Sequence, residues 1–184
     1  KDLNTALKRQ EAQGAVLLTV PGPKMIWQFG ELGYEFSINR CENGTINEDC
    51  RTSPKPVAFE LGYDTNANRK SVYDTWAKIL ELRLSNAVFS TKSFIVESGN
   101  LTPRIYIWDD SIPVTSLKNV IILANFTTTS QNIVPNFPFP ANWVNLMDNS
   151  TITVTDTAAP ITIEAGGFRI FGNTSALATE EVAG

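Results

Sequence analysis

Glu31 stands near the end of the run Val20-Pro21-Gly22-Pro23-Lys24-Met25-Ile26-Trp27-Gln28-Phe29-Gly30-Glu31-Leu32-Gly33. A proline-glycine turn opens the run, the apolar stretch Met25-Ile26-Trp27 follows, and an acid lies between glycines at the exit. This is the pattern of a buried parallel strand with a functional loop leaving its carboxyl end. Glu31 then has two readings. It is a carboxylate on the substrate side, or behind it orienting a catalytic group, or it is a structural acid accepting from loop amides. Trp27 and Phe29 could stack on sugar rings, although apolar strand positions are more often core.

The rest of the chemistry is narrow. Histidine is absent, which removes Ser-His-Asp and Cys-His nucleophilic catalysis and the commonest zinc ligand. Cys41 and Cys50 bracket the polar loop Glu42-Asn43-Gly44-Thr45-Ile46-Asn47-Glu48-Asp49. Such a pair suggests a local disulfide and an oxidising compartment; the alternative is two free thiols. Two cysteines without further soft ligands make a poor metal site. In the second half of the chain, Trp108 ends an alternating stretch beside Asp109-Asp110, and Trp143 lies in a turn-rich region. Both are candidates for sugar stacking, against core or interface packing. The acids at Trp108 fall short of the six or more oxygens that calcium takes.

The elements that would position these residues follow from periodicity. Residues 2 to 18 read as a helix opened by Asp2, with Leu3, Ala6, Leu7, Ala15 and Leu18 at helical spacing; Gly14 would let it approach a sheet closely. Residues 34 to 69 form a long irregular connection, either functional or an insertion. A second helix is predicted from Ser71, with Asp74 as a weak capping partner, to Leu84. After Ala87 the texture becomes short strands between turns: Ser93–Glu97, Arg104–Trp108, Val120–Phe126, Ile152–Thr155, Ile161–Glu164 and Phe168–Phe171. That spacing indicates an antiparallel β-sandwich. The expected division is 1–86, 87–173 and a tail or linker at 174–184.

Composition excludes some partners. The net charge of −4 and pI near 4.9, with no basic run, argue against nucleic acid. No apolar stretch is long enough to span a bilayer. The chain starts on a helical pattern without an initiating Met, as the interior of a longer protein would. Asn-x-Ser/Thr triplets at Asn43, Asn100, Asn125, Asn149 and Asn173 are read as composition rather than glycosylation.

The run Gly22 to Gly33 resembles the eighth-strand motif of glycoside hydrolase family 13, the α-amylase family. Pro21-Gly22, Met25-Ile26-Trp27, Gly30-Glu31 and Leu32-Gly33 fill the places of that motif. Of the later segments, Val120-Ile121-Ile122-Leu123-Ala124-Asn125-Phe126 is similar to a hydrophobic strand ending in Asn-Phe in that family's C-terminal β-domain, Trp143-Val144-Asn145-Leu146-Met147-Asp148 to its Trp-x-x-Leu-x-Asp segment, and Gly166-Gly167-Phe168-Arg169-Ile170-Phe171 to its final strand after a glycine turn. The resemblance implies an α+β fragment. Residues 1–86 would be the remnant of a (β/α)8 barrel (helix, strand 8, helix 8), and an antiparallel β-sandwich would follow.

It also implies a parent enzyme, a bacterial extracellular, periplasmic or cell-surface retaining hydrolase of α-1,4-glucans, in which calcium is a plausible cofactor. This chain would complete and shield the barrel without catalysing. The family's catalytic Asp, Glu and Asp belong to earlier strands, and its Asn-His-Asp segment cannot occur in a chain without histidine. A retaining glycosidase needs two carboxyls about 5 Å apart, and no pair here has a scaffold for that. An incomplete barrel would leave an open edge and favour self-association. The alternative is a carbohydrate-binding β-sandwich module with an α/β extension; a plain interaction module is the third reading.

Overall fold

Two helices lie on a β-sheet, and the sheet is covered on its other face by a second, smaller one. The computed structural model describes residues 2–176, so most of the expected tail, 174–184, lies outside the described residues. Helix α1 spans Leu3–Thr19, and the Asp2 side chain caps it by accepting from Thr5 N at 2.9 Å. Helix α2 spans Ala67–Ser85 and starts four residues before the predicted Ser71. Its cap is Asn66, which accepts from the amides of Asn68 and Arg69. Asp74 does not cap; it pairs with Lys70 one turn back, at 2.8 Å.

Gly14 does permit a close approach, but to a helix rather than a sheet. A Cβ there would lie 2.2 Å from Trp76 Nε1. The bare backbone admits the indole, which donates to Gln10 O at 2.9 Å. Arg83 closes the other end, donating to Leu18 O, Val20 O and Gly22 O where α1 runs out of amide partners.

The strands are β1 (Ser93–Glu97), β2 (Arg104–Trp108), β3 (Asn119–Ala124), β4 (Gln131–Ile133), β5 (Ala141–Asn145), β6 (Thr151–Val154), β7 (Ile161–Ile163) and β8 (Phe168–Gly172). Six form one antiparallel sheet in the order β1-β2-β3-β8-β5-β6, and β4 and β7 form a two-stranded sheet. Strand β3 is buried along its whole length, which explains why it reads as an unbroken apolar run. Val120 and Ile122 pack with Leu18, Val72, Trp76 and Ile79 of the helices. Ile121 and Leu123 point the other way, onto Ile133, Trp143 and Ile163. Each such fully buried side chain stabilises the fold by about 1.5–3 kcal/mol. The first of these cores joins residues from both sides of position 86. Strands β4 and β5 escaped the sequence reading, β4 because Gln131-Asn132 leave Ile133 as its one apolar residue and β5 because its asparagines break the apolar pattern.

The strand expected at Met25–Trp27 is not formed. The segment has no regular secondary structure, no described strand pairs with it, and Met25 is 79% and Trp27 57% exposed. A parallel strand exists through ladder bonds to neighbours and cover on both faces, and this segment has neither. No barrel strand is therefore present among the described residues.

Candidate functional site

The backbone turns sharply after Trp27. Gly30 N donates to Trp27 O at 2.7 Å, and Leu32 N and Gly33 N donate back to Phe29 O and Gly30 O. Glu31 is thereby placed at the centre of a single 3-10 turn, Gly30–Leu32. Gly33 is required there: its φ is +65°, and a Cβ would lie 2.3 Å from Leu7 Cδ2. Phe29 also takes a left-handed φ of 58°, a conformation that costs a non-glycine residue free energy. Its ring is held between Tyr34, at 5.7 Å, and Phe59, at 5.5 Å.

What fixes this turn is Arg69, only 3% exposed. Its Nη1 donates to Leu32 O at 2.9 Å and Gly33 O at 2.7 Å, and its Nη2 reaches both carboxylate oxygens of Glu35. The guanidinium lies 3.6 Å from the centroid of the Tyr63 ring, and Tyr63 OH donates to Glu35 at 2.8 Å. Burial first, then the hydrogen bond to Glu35 and its negative charge, push the phenol up to about 12. Tyr63 therefore remains a proton donor across the neutral range. This group was missed in the sequence. Its signal was present, since Arg69 shares the 69, 72, 76, 79 stripe with Val72, Trp76 and Ile79, and a charge on a buried helical stripe needs partners.

The 34–66 connection is an ordered unit with its own small core. Leu32, Ala58 and Tyr63 are buried in it, and Phe29, Tyr34 and Phe36 pack around them. Tyr34 OH donates to Pro56 O at 2.6 Å. Cys41 and Cys50 form the expected disulfide, with Cα atoms 5.0 Å apart. Lys55 Nζ donates to Cys50 O and Ser53 O.

The structure separates the residues singled out by sequence. Glu31 lines a cavity of about 280 Å³ with Phe59, Asp64, Lys70 and Tyr73. Trp27 lines a different one, of about 290 Å³, with Leu17, Met25 and Ile26. Trp108 is half-buried and stacks on Tyr106 at 4.7 Å. Trp143 is fully buried between Phe137 and Phe139, 4.7 and 5.2 Å away. With neither face open, Trp143 cannot serve as a sugar platform; its place on the inner side of β5 makes it core.

The acids beside Trp108 are occupied locally. Asp109 accepts from Ser111 N and Oγ, which holds its carboxyl below the usual range, and Asp110 pairs with Lys118 at 3.4 Å. Among the described residues no group of three or more His, Cys, Asp or Glu stands together to hold a metal. Three of the Asn-x-Thr triplets form side-chain turns: Asn43, Asn100 and Asn125 accept from the amides of Thr45, Thr102 and Thr127. Asn125 is also fully buried, its amide donating to Thr129 O, Ile163 O and Glu164 O.

No protein-family model matches the sequence, and no curated protein matches it. Solved structures do. AmyP in complex with maltose superposes with a TM-score of 0.68 at 13% identity, over 95% of this chain and 36% of that one. Pullulanase type I from Bacillus subtilis, complexed with maltose, gives 0.61 at 14% identity over 96% of this chain and 24% of that one. The maltogenic amylase from S. marinus gives 0.59 at 17% identity over 93% and 20%. The chain thus spans between a fifth and roughly a third of the length of these proteins. Its fold is that of the C-terminal part of amylases and pullulanases of glycoside hydrolase family 13.

Proposed function

We propose that this chain is the C-terminal part of an α-amylase-type glycoside hydrolase acting on α-1,4-glucans. In that protein it completes and shields the catalytic barrel and does no chemistry alone. The observation that supports this best is the Met25–Trp27 segment, which is apolar, exposed, and followed by a turn clamped by Arg69. A last barrel strand without its neighbours has these properties. The resemblance of residues 22–33 to the eighth-strand motif and the likeness to amylases and pullulanases point the same way. The disulfide supports residence outside the reducing cytoplasm.

Purified chain incubated with soluble starch should release no reducing sugar. Amylolysis that disappears on Glu31→Gln would overturn the proposal. The carbohydrate-binding-module reading is left with Trp108, since Trp143 is buried; starch-gel affinity electrophoresis of Trp108→Ala tests it.

A further inference from the structure

Asn43-Gly44 is the one Asn-Gly pair in the sequence, and it lies exposed at the tip of the disulfide loop. The tip is a narrow hairpin. Arg40 and Ile46 form a β-bridge, Cys41 N donates to Thr45 O at 2.8 Å, and Gly44 N donates to Cys41 O at 2.9 Å. Gly44 turns with a φ of +88°, a backbone that L side chains rarely adopt. Asn43 Oδ1 accepts from Thr45 N at 3.0 Å and from Thr45 Oγ1 at 2.8 Å. We propose that Asn43 is a self-modification site, converted to isoaspartate by attack of Gly44 N on its side-chain amide, and that the Cys41–Cys50 disulfide holds this reaction off. This chemistry does not depend on the function proposed above.

In the reaction, Gly44 N loses its proton and bonds to Asn43 Cγ. The Cγ–Nδ2 bond breaks, and Nδ2 takes up a proton and leaves as ammonia. The succinimide ring so formed adds one water at either of its carbonyls, giving isoaspartate or aspartate. Glycine leaves the attacking nitrogen accessible, because no Cβ stands beside it. The two Thr45 donors lie on Oδ1, where negative charge develops in the tetrahedral intermediate, as the donors of an oxyanion hole do. The electrophile is therefore prepared.

The nucleophile is held back. Gly44 N–H is committed to Cys41 O, and attack requires that bond to break. Cys41 is the buried anchor of the hairpin and is tied to Cys50, whose carbonyl accepts from Lys55 Nζ at 2.8 Å. Reaction proceeds from the opened hairpin, so its rate scales with the population of that state. A cross-link between residues nine apart in sequence removes open conformations from that population. A dithiol reductant, which takes both cysteines to thiols and is itself oxidised to a disulfide, restores them. The reduced chain then marks itself. Isoaspartate adds a methylene to the backbone and a carboxylate beside Glu42, and neither is undone when the disulfide forms again.

The test incubates the full 184-residue chain at mildly alkaline pH, with the disulfide intact and after reduction with dithiothreitol and alkylation. Peptide mapping by mass spectrometry follows deamidation at Asn43, and methylation by an isoaspartyl methyltransferase identifies the isoaspartate. Asn149, exposed and followed by Ser150, is the internal reference. Asn43 should react about tenfold faster or more in the reduced chain, with isoaspartate among the products, while Asn149 keeps its rate. Gly44→Ala in the reduced chain should slow Asn43 strongly, because the added methyl crowds the attacking nitrogen. That variant is read with the hairpin already open, so it stays decisive however far reduction loosens the loop. Equal rates at Asn43 with and without the disulfide overturn the gate. Acceleration of Asn149 in step with Asn43 also overturns it, since the disulfide would then hold the whole chain rather than the hairpin. A reduced chain in which Asn43 is no faster than Asn149, or in which Gly44→Ala has no effect, overturns the site.

Discussion

Two apolar stretches of this chain look alike in sequence and end in opposite environments. Val120-Ile121-Ile122-Leu123 lies in β3, with helices on one face, a second sheet on the other and β2 and β8 on its edges. Met25-Ile26-Trp27 has none of these neighbours and lies open. The difference is not in propensity. A buried strand is defined by what is laid against it, and apolar composition specifies only that something must be.

The sharpest way to break this comparison is to remove one tryptophan from each region. Trp143→Ala empties a site between Phe137, Phe139 and Phe171 and should destabilise the chain by about 3–5 kcal/mol, read from urea unfolding. A loss below about 1 kcal/mol would mean that the sheet-to-sheet core contributes little. Next in size is the clamp on the exposed stretch. Arg69→Met should cost about 2–4 kcal/mol, because Leu32 O and Gly33 O lose their donor and Glu35 loses its ion-pair partner, keeping only the Tyr63 hydroxyl. Limited proteolysis should then cut first within residues 29–63. Unchanged resistance would show that the disulfide and the small aromatic core hold the loop without Arg69.

Tyr63 gives the same clamp a pH signature. Its pKa is raised from 10 to about 12, so the folded state keeps a proton that the unfolded chain gives up. The contribution is complete below pH 10 and is lost as pH rises towards 12, by about 2–3 kcal/mol in all. Tyr63→Phe should remove that part of the alkaline slope, measured as the difference in melting temperature between the two proteins from pH 9 to 12. Parallel slopes would place the phenol in contact with solvent.

How far the sequence could be read follows the same division. Helix α1, its Asp2 cap and most strands of the large sheet were legible because each is specified by its own periodicity. Strand β4 was not, since Gln131-Asn132-Ile133 offers a single apolar residue, and α2 was begun too late because Asn66 caps it from within an apparently irregular loop. The disulfide was legible from spacing and the Arg69–Glu35–Tyr63 group was not. Glu35 lies 28 residues from Tyr63 and 34 from Arg69, and only the buried stripe hinted at Arg69. The eighth-strand pattern of residues 22–33 was legible as a resemblance, yet no described strand pairs with the segment and no strand forms there.

Trp27→Ser is the smallest perturbation and the one most specific to the open segment. Trp27 is 57% exposed, so its loss should change stability by no more than about 0.5 kcal/mol. Its effect should appear in association instead. An uncovered apolar strip beside a concave surface lined by Leu17, Met25 and Ile26 favours pairing of two copies, so light scattering should show a concentration-dependent dimer that Trp27→Ser returns to monomer. A monomeric chain at every concentration would remove the self-association idea. If Trp27→Ser instead lowers stability as much as Trp143→Ala does, and only where the dimer is populated, the second copy would be covering the segment as β3 is covered within one chain. The two stretches would then differ only in whether their cover comes from the same molecule.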